Sequence, residues 1–207
     1  MILDFLIQYH ALKMIYKEKS MRTGHVMFTE RLVIEPAVFE DKSEELAQAI
    51  HEANEFEWYF GVEETEEYLE ELSICREKFY NIFDSNGEFL GYVGFHKECE
   101  NYEIEIYILK QFRRNGYARE AMLAVMKEAF EGKVVGTTKV DFTKIVSSVR
   151  RENEASIQLM EKCGFEKDKD MGMCLLVYAS LEDEALSNPI HLVHYMITRE
   201  RFLSREE

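Results

Sequence analysis

The chain lacks the features that would place it in several large protein classes. Its four cysteines, Cys75, Cys99, Cys163 and Cys174, are scattered and form no C-x-x-C pair. A disulfide framework or a zinc site is therefore not expected, and a reducing, cytoplasmic setting is. Its six histidines include no H-E-x-x-H spacing, and no metal is expected. No apolar run approaches the roughly 18 residues of a membrane helix, so no membrane partner is expected. There is no internal repeat, low-complexity tract or linker. Positive charge is also scarce: 25 Lys and Arg stand against 40 Asp and Glu, a net charge of −15. Neutralising phosphates needs a basic surface, so a general nucleic-acid binder is not expected. The balance favours cationic partners or substrates, although solubility alone would account for it.

What is present suits a globular fold. At 207 residues, 46% hydrophobic and 13% aromatic, the chain has the length and core material for one domain with an appendage. The appendage is the N-terminal stretch. Ile2, Phe5, Leu6, Tyr9, Leu12 and Tyr16 make a helical stripe, while Asp4 and the lack of a small-residue cleavage site argue against a signal peptide. We read residues 1–26 as an amphipathic helical extension that packs on the domain or on a second chain, a homodimer being the assembly this allows. Translation from Met21 or Met27 is the other reading.

From Phe28 to Phe202 the expected order is β-α-α-β-β-β-α-β-α-β-β. Arg31–Glu35 makes a first strand. One helix opens at the capping pair Asp41 and Glu44, and a second runs over about 63–79. Phe79–Phe83, the turn Asp84-Ser-Asn-Gly87 and Glu88–His96 form a hairpin. Tyr102–Leu109 alternates as a strand, with Ile104, Ile106 and Ile108 on one face and Glu103, Glu105 and Tyr107 on the other. Ala118–Phe130 is an amphipathic helix burying Ala121, Met122, Val125, Met126 and Ala129. Phe142–Val149 is a further strand. Asn153 caps a helix with Leu159, Met160 and Cys163 inward, ending at Gly164. Strands around Met173–Tyr178 and over about His191–Thr198 complete the chain. This predicts a mixed α/β domain (α+β), residues 27–203, with helices on both faces of a sheet.

The stretch Gln111-Phe-Arg-Arg-Asn-Gly-Tyr-Ala118 stands out. Although the chain is acidic, Ile108–Arg119 carries Lys110, Arg113, Arg114 and Arg119 and no Asp or Glu. It lies where a strand gives way to a helix, and Gly116 lets the main chain approach an anion beside the unpaired amides of the first helical turn. A pyrophosphate cradle is one reading and a solvated basic β–α turn the other.

The order of elements resembles the GNAT acyltransferase fold, and four motifs carry the resemblance. Arg113-Arg-Asn-Gly116-Tyr-Ala118 is similar to the R/Q-x-x-G-x-G/A acyl-CoA loop. Asn153-Glu-Ala-Ser156-Ile-Gln-Leu159-Met-Glu-Lys162-Cys-Gly164-Phe165 is similar to a signature of the RimJ/RimL-like branch. Thr29-Glu-Arg-Leu32 resembles the start of that branch, and Gly91-Tyr-Val-Gly94 its third strand. The resemblance implies a central mixed, mostly antiparallel sheet of about seven strands and an acetyl-CoA-dependent N-acetyltransferase. Transfer would be direct, from acetyl-CoA to a primary amine.

The resemblance also implies roles for residues. Main-chain amides at Arg114, Asn115, Gly116, Tyr117 and Ala118 would hold the pyrophosphate, with Lys110, Arg113 and Arg114 adding charge. The strand before them would bulge and splay from its neighbour, leaving free amides near Ile108 and Leu109 for pantetheine and the thioester carbonyl. Asn153 would contact pantetheine and cap its helix. Glu103 and Glu105 are the candidate bases for the attacking amine, and ordinary solvent-facing residues otherwise. Many family members place a Tyr where this chain has Met160, so Ser156 becomes the candidate proton donor to the departing thiolate. It would otherwise serve only the helix start. Cys163 fits a packed core position.

The acceptor side in this family is walled by the first two helices. Between Glu40 and Glu71 the chain has thirteen acidic residues and one Lys. Glu52, Glu55 and Glu57 lie beside Trp58, Tyr59 and Phe60, a mix suited to a cationic group. We expect Glu55, Glu57, Trp58 and Tyr59 to bind the acceptor, a cationic small molecule or a peptide N-terminus. The alternative to an enzyme is a non-catalytic acyl-CoA sensor on the same fold.

Overall fold

The computed structural model describes residues 26–37, 79–98, 101–132, 134–135, 138–139, 142–168, 175–176 and 190–205. The chain divides into two compact units, Met1–His96 with Glu105–Phe142, and Lys97–Ile104 with Thr143–Glu207. The N-terminal extension, the helices expected from Asp41 and over 63–78, and the acceptor loop fall outside the described residues.

The first unit holds β1 (Met27–Phe28), β2 (Leu32–Pro36), β3 (Phe79–Asp84) and β4 (Phe89–Glu98) up to His96, neighbours in chain order, followed by β5 (Asn101–Ile108), whose first half belongs to the second unit. The β3–β4 hairpin turns at Asp84, whose Oδ1 accepts the amides of Asn86 and Glu88 at 2.8 Å each, an Asx-type turn. The expected helix end at Phe79 is corrected: Phe79 opens β3, fully buried with Tyr80 and Ile82.

Between Ile82 and Phe83 the β3–β4 register shifts, from Ile82↔Gly91 to Phe83↔Phe89, leaving Leu90 as the extra residue of a bulge. Next to it Gly91 has φ +145°, and a Cβ there would lie 2.0 Å from the Tyr107 carbonyl oxygen. Only glycine allows β4 to run this close to β5.

Helix α1 (Tyr117–Phe130) follows the basic turn. Its expected inward residues, Ala121, Met122, Val125, Met126 and Ala129, are all fully buried. Such burial contributes roughly 1.5–3 kcal/mol for each large side chain, so the helix is anchored by its apolar face. A short hairpin, β6 (Val134–Val135) with β7 (Thr138–Lys139), follows. Its two-residue strands carry too little periodicity to be read from sequence.

The second unit holds the start of β5, then β8 (Lys144–Arg150), α2 (Glu154–Cys163), β9 (Glu166–Lys167), β10 (Leu175–Leu176), β11 (Ile190–Thr198) and α3 (Arg199–Leu203). β11 pairs antiparallel with β8 along seven residues, from Leu192↔Arg150 to Thr198↔Lys144. β9 and β10 also pair antiparallel with β11. β5 pairs with β8 in parallel.

Asn153 caps α2, its Oδ1 accepting the Ser156 amide at 3.1 Å. Gly164, at φ +96°, ends it. There the Gly164 amide donates to the Glu161 carbonyl and the Phe165 amide to the Met160 carbonyl, both at 3.0 Å, a Schellman closure. Met160 and Cys163 are buried, as expected, whereas Leu159 is half-buried.

Candidate active site

The basic turn is a built structure rather than a loose connection. Leu109 leaves the strand, Lys110–Phe112 makes one 3-10 turn, and Arg113 returns to extended backbone. Arg114 then takes φ +65°, the one non-glycine residue in the left-handed region among those described, and Gly116 takes φ +84° as the N-cap of α1. Two left-handed residues in four bend the main chain into a concave, nest-like turn.

Side chains fix which way its peptides point. Asn115 Nδ2 donates to the carbonyls of Phe112 and Arg113, at 3.1 and 3.3 Å. Arg31 donates from a terminal nitrogen to the Asn115 carbonyl at 2.9 Å. A trans peptide points its N–H opposite to its C=O. Holding the Arg113 and Asn115 carbonyls therefore turns the amides of Arg114 and Gly116 away from those ties. The Tyr117 and Ala118 amides lie in the first helical turn, where no intrahelical acceptor exists, and no side chain caps the helix. Gly116 and Ala118 put no bulk in front of these donors. The loop thus fits an anionic diphosphate.

The two loop arginines differ. Arg113 is turned back: its Nε donates to the Ile108 carbonyl at 2.7 Å, and its guanidinium lies 5.1 Å over the Tyr107 ring. It ties the turn to the strand. Arg114 is exposed, as are Lys110 and Asn115.

The end of β5 departs from expectation at one amide. Leu109 N–H donates to the Leu90 carbonyl at 2.8 Å, so it is not free. The extra residue of the β4 bulge supplies that acceptor. Amides alternate in direction along a strand, so Ile108, the last residue of β5, directs its own away from β4.

The parallel β5–β8 register consists of Tyr102↔Ile145 and Glu103↔Val146. Just past it, the Glu103 carboxylate accepts the Ser148 amide. A side chain satisfies a donor that strand pairing leaves over, so Glu103 wedges the point where the pairing ends. Two residues on, Glu105 accepts the hydroxyl of Tyr92. The Tyr92 ring is fully buried and stacked on Tyr107, centroids 6.2 Å apart and planes 18° apart. Glu105 is thus held by a rigid partner.

Ser156 is half-buried on the first turn of α2. Its amide is the one Asn153 caps, which accounts for Asn153 without a ligand and leaves the Ser156 hydroxyl to a separate role. Glu55, Glu57, Trp58 and Tyr59 lie outside the described residues.

Sequence reasoning missed Arg31 and Glu120. Thr29 Oγ1 donates to Glu120 Oε1 at 2.5 Å, and the Arg31 amide donates to the same oxygen at 3.0 Å. Arg31 Nε and a terminal nitrogen reach Glu120 Oε2 at 2.8 and 2.6 Å. Partial burial pushes the Glu120 carboxyl up. The hydrogen bonds from Thr29 and Arg31, with the Arg31 charge, more than reverse this and hold it below the ordinary carboxylate range. The Thr29-Glu-Arg-Leu32 motif was the available signal, but nothing in it said what the arginine meets.

The acetyltransferase (GNAT) domain model matches residues 31–166. The chain belongs to the GNAT acetyltransferase family, and is an acetyl-CoA-dependent N-acetyltransferase built on its mixed, mostly antiparallel sheet. It is 25% identical over 157 residues to the N-acetyltransferase YoaA of Bacillus subtilis (strain 168), covering 69% of this chain and 84% of that protein. Among solved structures, RimL, a ribosomal L7/L12 α-N-protein acetyltransferase in complex with coenzyme A, superposes with a TM-score of 0.58 at 19% identity, covering 84% of this chain and 98% of RimL. The spermidine N-acetyltransferase of Vibrio cholerae, in complex with CoA and spermine, gives 0.61 at 17% identity, covering 84% and 99%. These solved structures share the fold of this chain. Among the described residues no cluster is grouped to hold a metal ion, and no helix is long and apolar enough to cross a membrane.

Proposed function

We propose that the turn at residues 113–118 holds the diphosphate of acetyl-CoA and that the acceptor is a cationic primary amine. The observation that carries the first part is the pair of left-handed residues, Arg114 and Gly116, with the intervening carbonyls tied back. That arrangement supports amides of Arg114, Asn115, Gly116, Tyr117 and Ala118 as the anion donors, with the exposed Arg114 and Lys110 as the added positive charges. Arg113 serves the loop from behind. The strand end at Ile108 and Leu109 serves the pantetheine arm, Ile108 supplying an amide and Leu109 a buried apolar surface.

Acetyl-CoA supplies an acetyl thioester already activated for attack. The chain must take a proton from the amine and return one to the leaving sulfur. Glu105 is our proposed base, because a rigid tyrosine hydroxyl orients its carboxylate; Glu103 is engaged with the Ser148 amide and sets the strand geometry beside it. The Ser156 hydroxyl is the proposed proton donor to the thiolate. For the acceptor, the acidic and aromatic stretch with Glu55, Glu57, Trp58 and Tyr59 supports a polyamine-like compound or a basic peptide N-terminus. RimL, named as an α-N-protein acetyltransferase, and the spermidine N-acetyltransferase share the fold.

The test is a thiol-release assay with acetyl-CoA across polyamines, aminoglycosides and peptides with free N-termini. Turnover of a cationic amine is expected, with KM raised in the Glu55→Gln, Glu57→Gln double variant. An unchanged acceptor KM in that variant would remove the acidic loop from recognition. In a thermal-shift experiment, acetyl-CoA at a hundred times its Kd should stabilise the fold by about 2.7 kcal/mol.

A further inference from the structure

We infer that Thr29, Arg31 and Glu120 form a clamp that sets the basic turn in its anion-receiving shape, making Arg31 a positioning residue for donor binding. The inference rests on the reading of that turn as the diphosphate site.

Arg31 is a cation next to a proposed anion site, yet its charge is directed elsewhere. Nε and one terminal nitrogen grip Glu120, in the first turn of α1. The other terminal nitrogen grips the Asn115 carbonyl, in the loop. The flat of the guanidinium lies 4.8 Å over the Tyr117 ring, the first residue of the helix. One side chain from the β1–β2 connection therefore holds the residues on both sides of Gly116.

Thr29 makes the clamp stiff. Its hydroxyl accepts the Leu32 amide at 3.0 Å and donates to Glu120 Oε1, so the first strand and the helix start share one hydroxyl. Glu120 accepts from Thr29 Oγ1, the Arg31 amide and the Arg31 guanidinium. A carboxylate with that many donors is fixed in place.

The consequence for function is directional. With the Asn115 carbonyl facing Arg31, the Gly116 amide of the same planar peptide must face the opposite way. Without Arg31 that peptide is free to rotate, which Gly116 makes easy because both signs of φ are open to it. One turn amide then no longer points at the diphosphate. A lysine could still pair with Glu120, but it lacks the planar fork that reaches Glu120 and Asn115 together.

The experiment measures binding of CoA and of pantetheine, which lacks the diphosphate, by calorimetry, with thermal unfolding as the check of folding. Four proteins are compared: wild type, Arg31→Ala, Arg31→Lys and Thr29→Val. For wild type we expect CoA to bind at least a hundredfold more tightly than pantetheine. That preference should fall about tenfold or more in Arg31→Ala, recover in part in Arg31→Lys, and fall less in Thr29→Val, with pantetheine affinity unchanged. If Arg31→Ala, or Thr29→Val should the first not fold, keeps the wild-type preference, the clamp does not position the loop. Equal weakening for both ligands with a lowered Tm would also overturn it, showing only a structural role. If wild type itself shows no preference for CoA, the diphosphate reading of the turn fails instead.

Discussion

Gly91→Ala is the sharpest perturbation the fold offers. The added Cβ would sit 2.0 Å from the Tyr107 carbonyl oxygen, 2.9 Å from its carbon and 3.0 Å from the Ile108 Cα. All three are main-chain atoms, so no side chain can swing aside. Relief requires β4 and β5 to part by more than an ångström beside the Leu90 bulge, where Leu109 N–H meets the Leu90 carbonyl. Overpacking of this kind costs roughly 1–3 kcal/mol. Holding a non-glycine residue at φ +145° adds about 1–3 kcal/mol. The sum is about 4 kcal/mol, a large part of the roughly 5–15 kcal/mol that keeps a domain folded. For a chain of this length that lowers Tm by roughly 8–16 °C. The assay is thermal unfolding followed by circular dichroism, with CoA binding measured below the transition. Affinity should fall as well, because the same strand end leads into the basic turn. A variant melting within 2 °C of wild type would refute the close approach itself.

Other outcomes follow from single contacts. Glu105→Gln should lower kcat by about a hundredfold or more if Glu105 takes the amine proton, while CoA affinity stays within about twofold; a variant keeping a third of wild-type kcat would pass the role elsewhere. Asn153→Ala removes a helix cap worth about 1 kcal/mol, so Tm should fall by roughly 2–4 °C, and an unchanged melt would deny the cap. The folded-state pKa of Glu120 lies below its unfolded value, so its contribution is present above the unfolded pKa and lost as pH falls through the folded one. Stability measured between neutral pH and pH 3 should therefore drop less steeply in Glu120→Gln than in wild type, and parallel curves would argue against the linkage.

Where sequence and structure agree, local rules were sufficient. The helix from Tyr117 to Phe130 was visible because its inward residues recur at helical spacing, and all five expected core positions are fully buried. Asn153 and Gly164 marked the ends of α2 because cap chemistry lies within a few residues of the cap. The strand expected around Met173–Tyr178 is found as β10, Leu175–Leu176, whereas the loss of the Leu109 amide to Leu90 was not visible, since a partner on another strand set it.

The basic turn shows the division most clearly. Gly116, the small Ala118, the local excess of positive charge and the strand and helix around them are sequence properties, and with the Asn153–Phe165 motif they were enough to name the family. What each charge does was decided only on folding. Arg113 turned back to its own strand, Arg114 was left exposed, and Arg31, far away in the chain, became the residue that sets the loop. Glu103 and Glu105 are indistinguishable as an alternating pair, yet one meets a strand amide and the other a tyrosine hydroxyl. Side-chain type and spacing determine what a residue can bond to. Which partner it meets depends on strands brought together from distant parts of the chain, and that information is tertiary.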